Sequence, residues 1–156
     1  MDSVMLVNKA EQGDVTSQVM LGIMYAKGVD FDQDFSEAAK WYKMAAEKGD
    51  AQAQYLYGLL LANGQGVNQN IEEAANWFKL SAHQGNIDAQ YNLAQRLVDY
   101  KDFPEAYKWI SLACSNSSGD VFKQYSKLKD IAAKELNQTQ IMQATKEARI
   151  ISAQCR

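Results

Sequence analysis

Apolar positions in this chain recur at helical spacing, and the spacing itself recurs. Over residues 14–27, Leu21, Gly22 and Tyr25 fall at i, i+1 and i+4 behind Asp14, a good N-cap; this predicts a helix, with Gly28 ending it. A loop over 28–34 leads into a second predicted helix, 35–48, with Ala38, Trp41, Tyr42 and Ala45 on one face and Gly49 at its end. The pair returns as helix 50–63 (Ala53, Tyr57, Gly58, Leu61), the turn Gly64-Gln65-Gly66-Val67 and helix 71–84 (Ala74, Trp77, Phe78, Ser81). Helix 86–99 (Ala89, Leu93, Ala94, Leu97) opens a third pair, but residues 100–104 replace the Gly-x-Gly loop, and Pro104 fits the first turn of the following helix. After Cys114 comes a polar break over 115–118, and then residues 120–136 and 139–154 read as two longer helices, the last with Ile141, Ala144, Ala148 and Ile151 in register.

Trp41 and Trp77 are 36 residues apart (77 − 41), as are Gly49 and Gly85, while Trp109 follows Trp77 by 32 (109 − 77). Self-similarity at such a period marks a repeat array, in which each helix pair is too small to fold alone and buries its apolar face on its neighbours. The chain thus divides into a partial N-terminal helix (1–13), repeats over 14–49, 50–85 and 86–118, and a C-terminal capping pair (119–156). Gly22, Gly58 and Ala94, with Ala38, Ala74 and Ala106, are small enough for close helix approach, and the tryptophans are expected to fill the wedge between units. Residues 2–12 align one period before helix 38–48, with Asp2 in the place of Ala38 and Met5 in that of Trp41. The expectation is either a worn N-terminal cap or the loss of preceding sequence; the compartment is then the cytoplasm, or the periplasm if a signal peptide once preceded Met1.

These residues resemble the Sel-1-like repeat family, relatives of the tetratricopeptide repeats, whose pattern runs A-x-x-L-G-x-x-Y-x-x-G-x-G-V, then A-x-x-W-Y-x-x-A-A-x-x-G. Leu21-Gly22, Tyr25 and Gly28 match it, as do Ala53, Gly58, Gly64, Gly66, Val67 and the alanine, tryptophan and glycine sets above. Asp30 departs from it at the second loop glycine of the first repeat, and the third loop is shortened. The resemblance covers roughly residues 10–114 and implies an all-α fold: a right-handed superhelical solenoid of antiparallel helix pairs. It further implies a non-enzymatic adaptor that binds a protein or peptide in a concave groove, with immunity against a secreted toxin, or a secretion-related role, as sub-cases. The alternative is binding or turnover of cell-wall fragments or β-lactams, as in cysteine-rich relatives, but those pair cysteines across each helix pair and this chain has none of those pairs.

Composition narrows the classes further. The 156 residues carry a net charge of −3, which argues against nucleic acid as a partner, since that would need a basic face. Residues 119–156 hold seven Lys/Arg against four Asp/Glu, so a mildly acidic body precedes a mildly basic tail. Two cysteines are too few for a disulfide framework, and no stretch reaches the roughly 18 apolar residues of a membrane span.

Catalytic and cofactor candidates are sparse. His83, the one histidine, stands one period after Glu47 in a solvent-facing slot. Cys114 occupies the small buried slot of Ala46 and Ala82, and no group of residues has metal-ligand spacing. Glu72 and Glu73, like Asp32 and Asp34, suit helix starts, and the glycine loops lack the Lys-Ser/Thr of a phosphate cradle. The expectation is therefore no catalytic residue, no metal and no cofactor. The exception is the opposite side of each pair's first helix, which would line the groove. It carries Thr16, Val19, Ile23 and Lys27, then Gln52, Tyr55, Leu59 and Asn63, then Asp88, Tyr91, Gln95 and Asp99. Val19, Ile23, Tyr55, Leu59 and Tyr91 form an apolar strip with polar edges, the composition of an interaction surface. A monomer is expected.

Overall fold

The computed structural model describes residues 2–155. Among them every regular element is an α-helix: α1 (Ser3–Glu11), α2 (Val15–Lys27), α3 (Phe35–Glu47), α4 (Ala51–Asn63), α5 (Ile71–His83), α6 (Ile87–Asp99), α7 (Phe103–Ser115), α8 (Gly119–Ala133) and α9 (Gln138–Gln154). The predicted helices are all present, with ends that agree within a residue or two, except that α8 stops three residues short of 136. The chain forms two compact units, residues 1–77 and 78–156, that divide inside α5.

In the first unit α1 packs on α2, α2 on α3 and α3 on α4. Asp14 and Asp50 accept hydrogen bonds from the backbone N–H of Ser17 and Ala53, closing the N-termini of α2 and α4. One cluster buries Leu6, Ala10, Leu21 and Trp41; another buries Val19, Ala45, Ala46 and Ala53 with Trp77 packed against it. Trp77 meets Tyr57 edge-on at 5.7 Å, so its neighbours Ala46 and Tyr57 stand one period after Trp41's neighbours Ala10 and Leu21. The two tryptophans thus do the same job in successive repeats.

Two glycines show what the pattern is for. A methyl on Gly22 would lie 2.6 Å from the Tyr42 ring, so the bare backbone is what lets that ring lie against α2. Gly66, at φ +70°, is more constrained: a Cβ there would sit 2.2 Å from the Phe35 carbonyl carbon at the start of α3. Asp30, which departs from the glycine pattern, takes the same left-handed conformation (φ +62°) and accepts a hydrogen bond from Ser3 Oγ at 2.9 Å. The loop shape survives the substitution because aspartate tolerates this region better than most residues.

In the second unit α7 is the most deeply buried helix and packs on α6, α8 and α9. Trp109 is buried and meets the His83 ring edge-on at 4.8 Å. The shortened third loop reverses direction through Lys101 at φ +62°, after which Asp102 caps α7 and Pro104 sits in its first turn. Ala106, Tyr107, Ala132 and Ala144 form the core of the closing helices, and a reciprocal Asn137–Gln140 capping box starts α9.

A feature absent from the sequence reading recurs in both units. Gln18, Gln54 and Gln90, each 36 residues from the next, are all buried, at 0%, 4% and 1% exposure. Each donates its side-chain amide to a carbonyl near the end of the preceding helix: Gln18 to Ala10 at 3.0 Å, Gln54 to Ala46 at 3.3 Å and Gln90 to Ala82 at 3.1 Å. Helix ends leave carbonyls without helical partners, and a repeated glutamine supplies one.

Candidate functional site

The predicted binding face divides between the two units. In the first, Thr16, Lys27, Gln52 and Asn63 are exposed, and Ile23, Tyr55 and Leu59 are half-buried. Val19 is not on that face. It is 6% exposed and belongs to the core with Ala45, Ala46 and Ala53, because its side of α2 turns toward α4 rather than solvent. Its neighbour Met20, 46% exposed, takes its place, so the open stripe of α2 is Thr16, Met20, Ile23 and Lys27. These follow i, i+4, i+7, i+11, a single helical face. Ile23 and Leu56 lean on the Val19 cluster from the edge of that face, so it is apolar at its base and polar at its rim.

In the second unit the face is partly covered by the chain itself. Tyr91 stacks on Tyr125 of α8 with ring centroids 4.5 Å apart and 13° between planes. Gln124 donates to Tyr91 Oη at 3.5 Å, and Tyr125 Oη donates to Asp88 at 3.3 Å. Tyr91, half-buried, and Asp88, exposed, therefore also contact the capping helix, a second role that the sequence does not predict. Tyr125 is four per cent exposed and completes the unit's core. Gln95, half-buried, donates to Asp99 on its own helix at 3.2 Å, and Asp99 stays exposed.

The side chains with reactive potential lie in ordinary settings. His83 is exposed at the end of α5, and partial burial, followed by Lys108 and Lys79, holds its pKa below the usual 6.5, with Glu105 opposing. Burial pushes the Cys114 thiol up, away from the reactive thiolate, with Lys129 and Ser126 opposing. Burial alone raises Tyr42 to about 12. Cys114 and Cys155 are free thiols, and Cys155 Sγ lies 3.1 Å from the His83 carbonyl oxygen. Among the described residues no group of His, Cys, Asp or Glu is arranged to hold a metal ion, and no helix is long and apolar enough to cross a membrane.

Comparison with known proteins agrees with this architecture. The Sel1 repeat model matches residues 15–50, 51–86 and 87–118. A search of curated proteins finds no match. Among solved structures, a Sel1 repeat protein from Oxalobacter formigenes is 28% identical with a TM-score of 0.68, covering 73% of this chain and 49% of its own. A protective antigen present in uropathogenic Escherichia coli strains, displaying an SLR fold, is also 28% identical, with a TM-score of 0.81 over 96% of this chain and 32% of its own. The chain thus spans about half of one relative's length and about a third of the other's. Proteins built from these repeats are generally non-enzymatic protein-interaction scaffolds. Three matched repeats over two thirds of the sequence, with the same tryptophan environment in successive helix pairs, make the chain a member of the Sel1-like repeat family.

Proposed function

We propose that this protein is a non-catalytic scaffold, a monomer by itself, that binds a protein or peptide partner along the solvent-facing side of its first-position helices. The observation that carries the reading is the stripe on α2 and α4: Met20 nearly half exposed, Ile23, Tyr55 and Leu59 half-buried, and Thr16, Lys27, Gln52 and Asn63 at the edges. Apolar groups left at a polar-rimmed surface are the common form of a protein-binding patch, and tyrosine contributes disproportionately to such contacts. The second unit carries its own candidate face, with Asp88 and Asp99 exposed and Tyr91 and Gln95 half-buried.

The likeness to two bacterial proteins supports a bacterial role, and neutralising a toxin or serving a secretion machine are specific forms of the same binding. The cell-wall or β-lactam alternative draws no support from the cysteines, which are one buried and one exposed thiol.

The test is affinity capture with immobilised wild type, a Met20→Glu/Tyr55→Ala variant and a Met142→Glu control on α9. A partner held by wild type and control but lost by the face variant supports the reading. Equal retrieval by all three, with helicity unchanged, places binding elsewhere.

A further inference from the structure

The second unit contains a cavity of about 180 Å³ between α7, α8 and α9, with no lining residue from α1–α6. Six of its eight lining residues are polar or basic: Ser111 and Ser115 from α7, Lys129 from α8, and Thr145, Arg149 and Ser152 from α9. No carboxylate lines it. At roughly 30 Å³ per water molecule, this is space for several waters or one small ligand.

Among the described residues, neither cation lining the cavity is held in an ion pair, Lys129 half-buried and Arg149 exposed. The ion pairs join Lys40 to Glu37, Lys108 to Glu105 and Glu147, and Lys123 to Asp120. The Lys129 ammonium lies 5.6 Å from the Tyr107 ring centroid. A partly desolvated cation held in no ion pair is an unfavourable arrangement that an anion relieves.

The hydroxyls sort the donors. Ser115 Oγ already donates to Ser111 O at 2.9 Å, and Thr145 Oγ1 to Ile141 O at 2.8 Å. Ser111 Oγ is different: the residue is 8% exposed, its oxygen is fully buried, and it has no hydrogen-bond partner. Buried hydroxyls are nearly always satisfied; a turn about the Ser111 Cα–Cβ bond breaks no hydrogen bond of this oxygen and would present it to the cavity the residue lines. The donors free to act are Ser111, Ser152, Lys129 and Arg149, with two positive charges among them.

We infer that this cavity binds a small dianionic oxyanion, of the size and charge of phosphate. Two cations match two negative charges, and donors from three helices surround a tetrahedral group better than they do a planar carboxylate. Because Lys129 and Arg149 stand on different helices, the bound anion ties α8 to α9 over Ser111 of α7. The same phosphoryl chemistry could arrive as free phosphate or as a phosphate monoester of a small molecule, and titration separates the two.

The experiment follows amide resonances of the full chain during titration with inorganic phosphate in the low-millimolar range, at ionic strength fixed with sodium chloride. Phenyl phosphate and acetate form parallel arms. Saturable shifts centred on residues 111, 129, 149 and 152, absent with acetate, support the site; tighter binding of phenyl phosphate identifies a monoester as the natural form. Lys129→Gln/Arg149→Gln should weaken binding at least about tenfold, the effect of losing one strong charge-assisted contact. Lys146→Gln, on α9 but outside the cavity, should leave it unchanged. If the double variant loses helicity, Ser111→Ala and Arg149→Gln separately serve as the test, each expected to weaken binding. Shifts that never saturate, an affinity indifferent to these substitutions, or acetate binding as well as phosphate would overturn the inference.

Discussion

Replacing Gln18 tests the physical account of the stack most directly, because two substitutions at one buried position should behave differently. Gln18 is fully buried and donates to the Ala10 carbonyl at 3.0 Å, while its own side-chain oxygen has no partner. Gln18→Ala empties the space of a buried side chain, which costs about 2–5 kcal/mol in the comparable Met→Ala change, and loses one hydrogen bond, worth about 1 kcal/mol net, while relieving the unpartnered oxygen of a desolvation cost of about 1–3 kcal/mol. The Ala10 carbonyl keeps a second bond, from the Gly13 N–H at 3.0 Å, so the full cost of an orphaned acceptor does not arise. The sum is about 2.5 kcal/mol, and a domain of this size loses roughly 2–4 °C in Tm per kcal/mol. Gln18→Met keeps nearly the same volume and also loses about 1 kcal/mol of hydrogen bonding. It removes the unpartnered oxygen as well, whose desolvation costs about 1–3 kcal/mol. Methionine should therefore be neutral within about 1 kcal/mol, or stabilising. Urea denaturation followed by circular dichroism measures both. Equal losses for Ala and Met, or a loss for Ala below about 0.5 kcal/mol, would show that the glutamine does not work as described.

Other substitutions probe the rest of the frame. Gly66→Ala brings a Cβ to 2.2 Å from the Phe35 carbonyl carbon and should destabilise by about 3 kcal/mol or more; Gly49→Ala, at φ +97° with open space around it, should cost only about 1 kcal/mol, and comparable denaturation midpoints would refute the packing argument. Gly22→Ala should cost about 1–3 kcal/mol through its 2.6 Å approach to Tyr42, and Tyr42→Ile should recover part of that loss, since the third repeat carries Ala94 and Ile110 at these positions. Trp109→Ala should cost about 3–5 kcal/mol by thermal unfolding, as expected for a buried indole. His83 has a folded pKa below 6.5, so the unfolded chain binds more protons in the window beneath 6.5. Its contribution is present above that value and is lost as pH falls through the window; His83→Gln should flatten the stability profile there, and a folded pKa above 6.5 by NMR would reverse the sign.

Much of the frame is legible in the residues because helix ends and large aromatics announce themselves. Glycine past a helix, aspartate before one and tryptophan at a fixed interval each have one dominant physical reading. The buried glutamines recur as regularly as the tryptophans, yet glutamine ordinarily marks solvent, so composition points the wrong way and only the 36-residue recurrence could have flagged them. Val19 and Met20 differ by 100° of helix rotation, less than the uncertainty in where a neighbouring helix lies, and one position decides core or surface. Tyr125 and the cavity residues of α8 and α9 lie beyond the last repeat, where no period relates one helix to the next. Ser111, Lys129 and Arg149 are far apart in the chain, and tertiary packing alone brings them around one space.

The fates of Val19, Tyr55 and Tyr91, which occupy one register, also bear on where function resides. Val19 sinks into the core of its unit, Tyr55 stays half-buried, and Tyr91, also half-buried, stacks on the buried Tyr125. Positions the stack needs are held nearly constant: alanine at 10, 46 and 82, glutamine at 18, 54 and 90. Constancy there reflects the geometry of packing one helix pair on the next, and it carries no information about a ligand. What distinguishes one repeat from another is the outward stripe, where Met20, Leu56 and Asn92 differ in size and polarity at one register. The proposed partner would have to read those differences. A binding surface inferred by extending the period would select Val19, whereas burial selects Met20 and leaves Tyr91 half-buried like Tyr55.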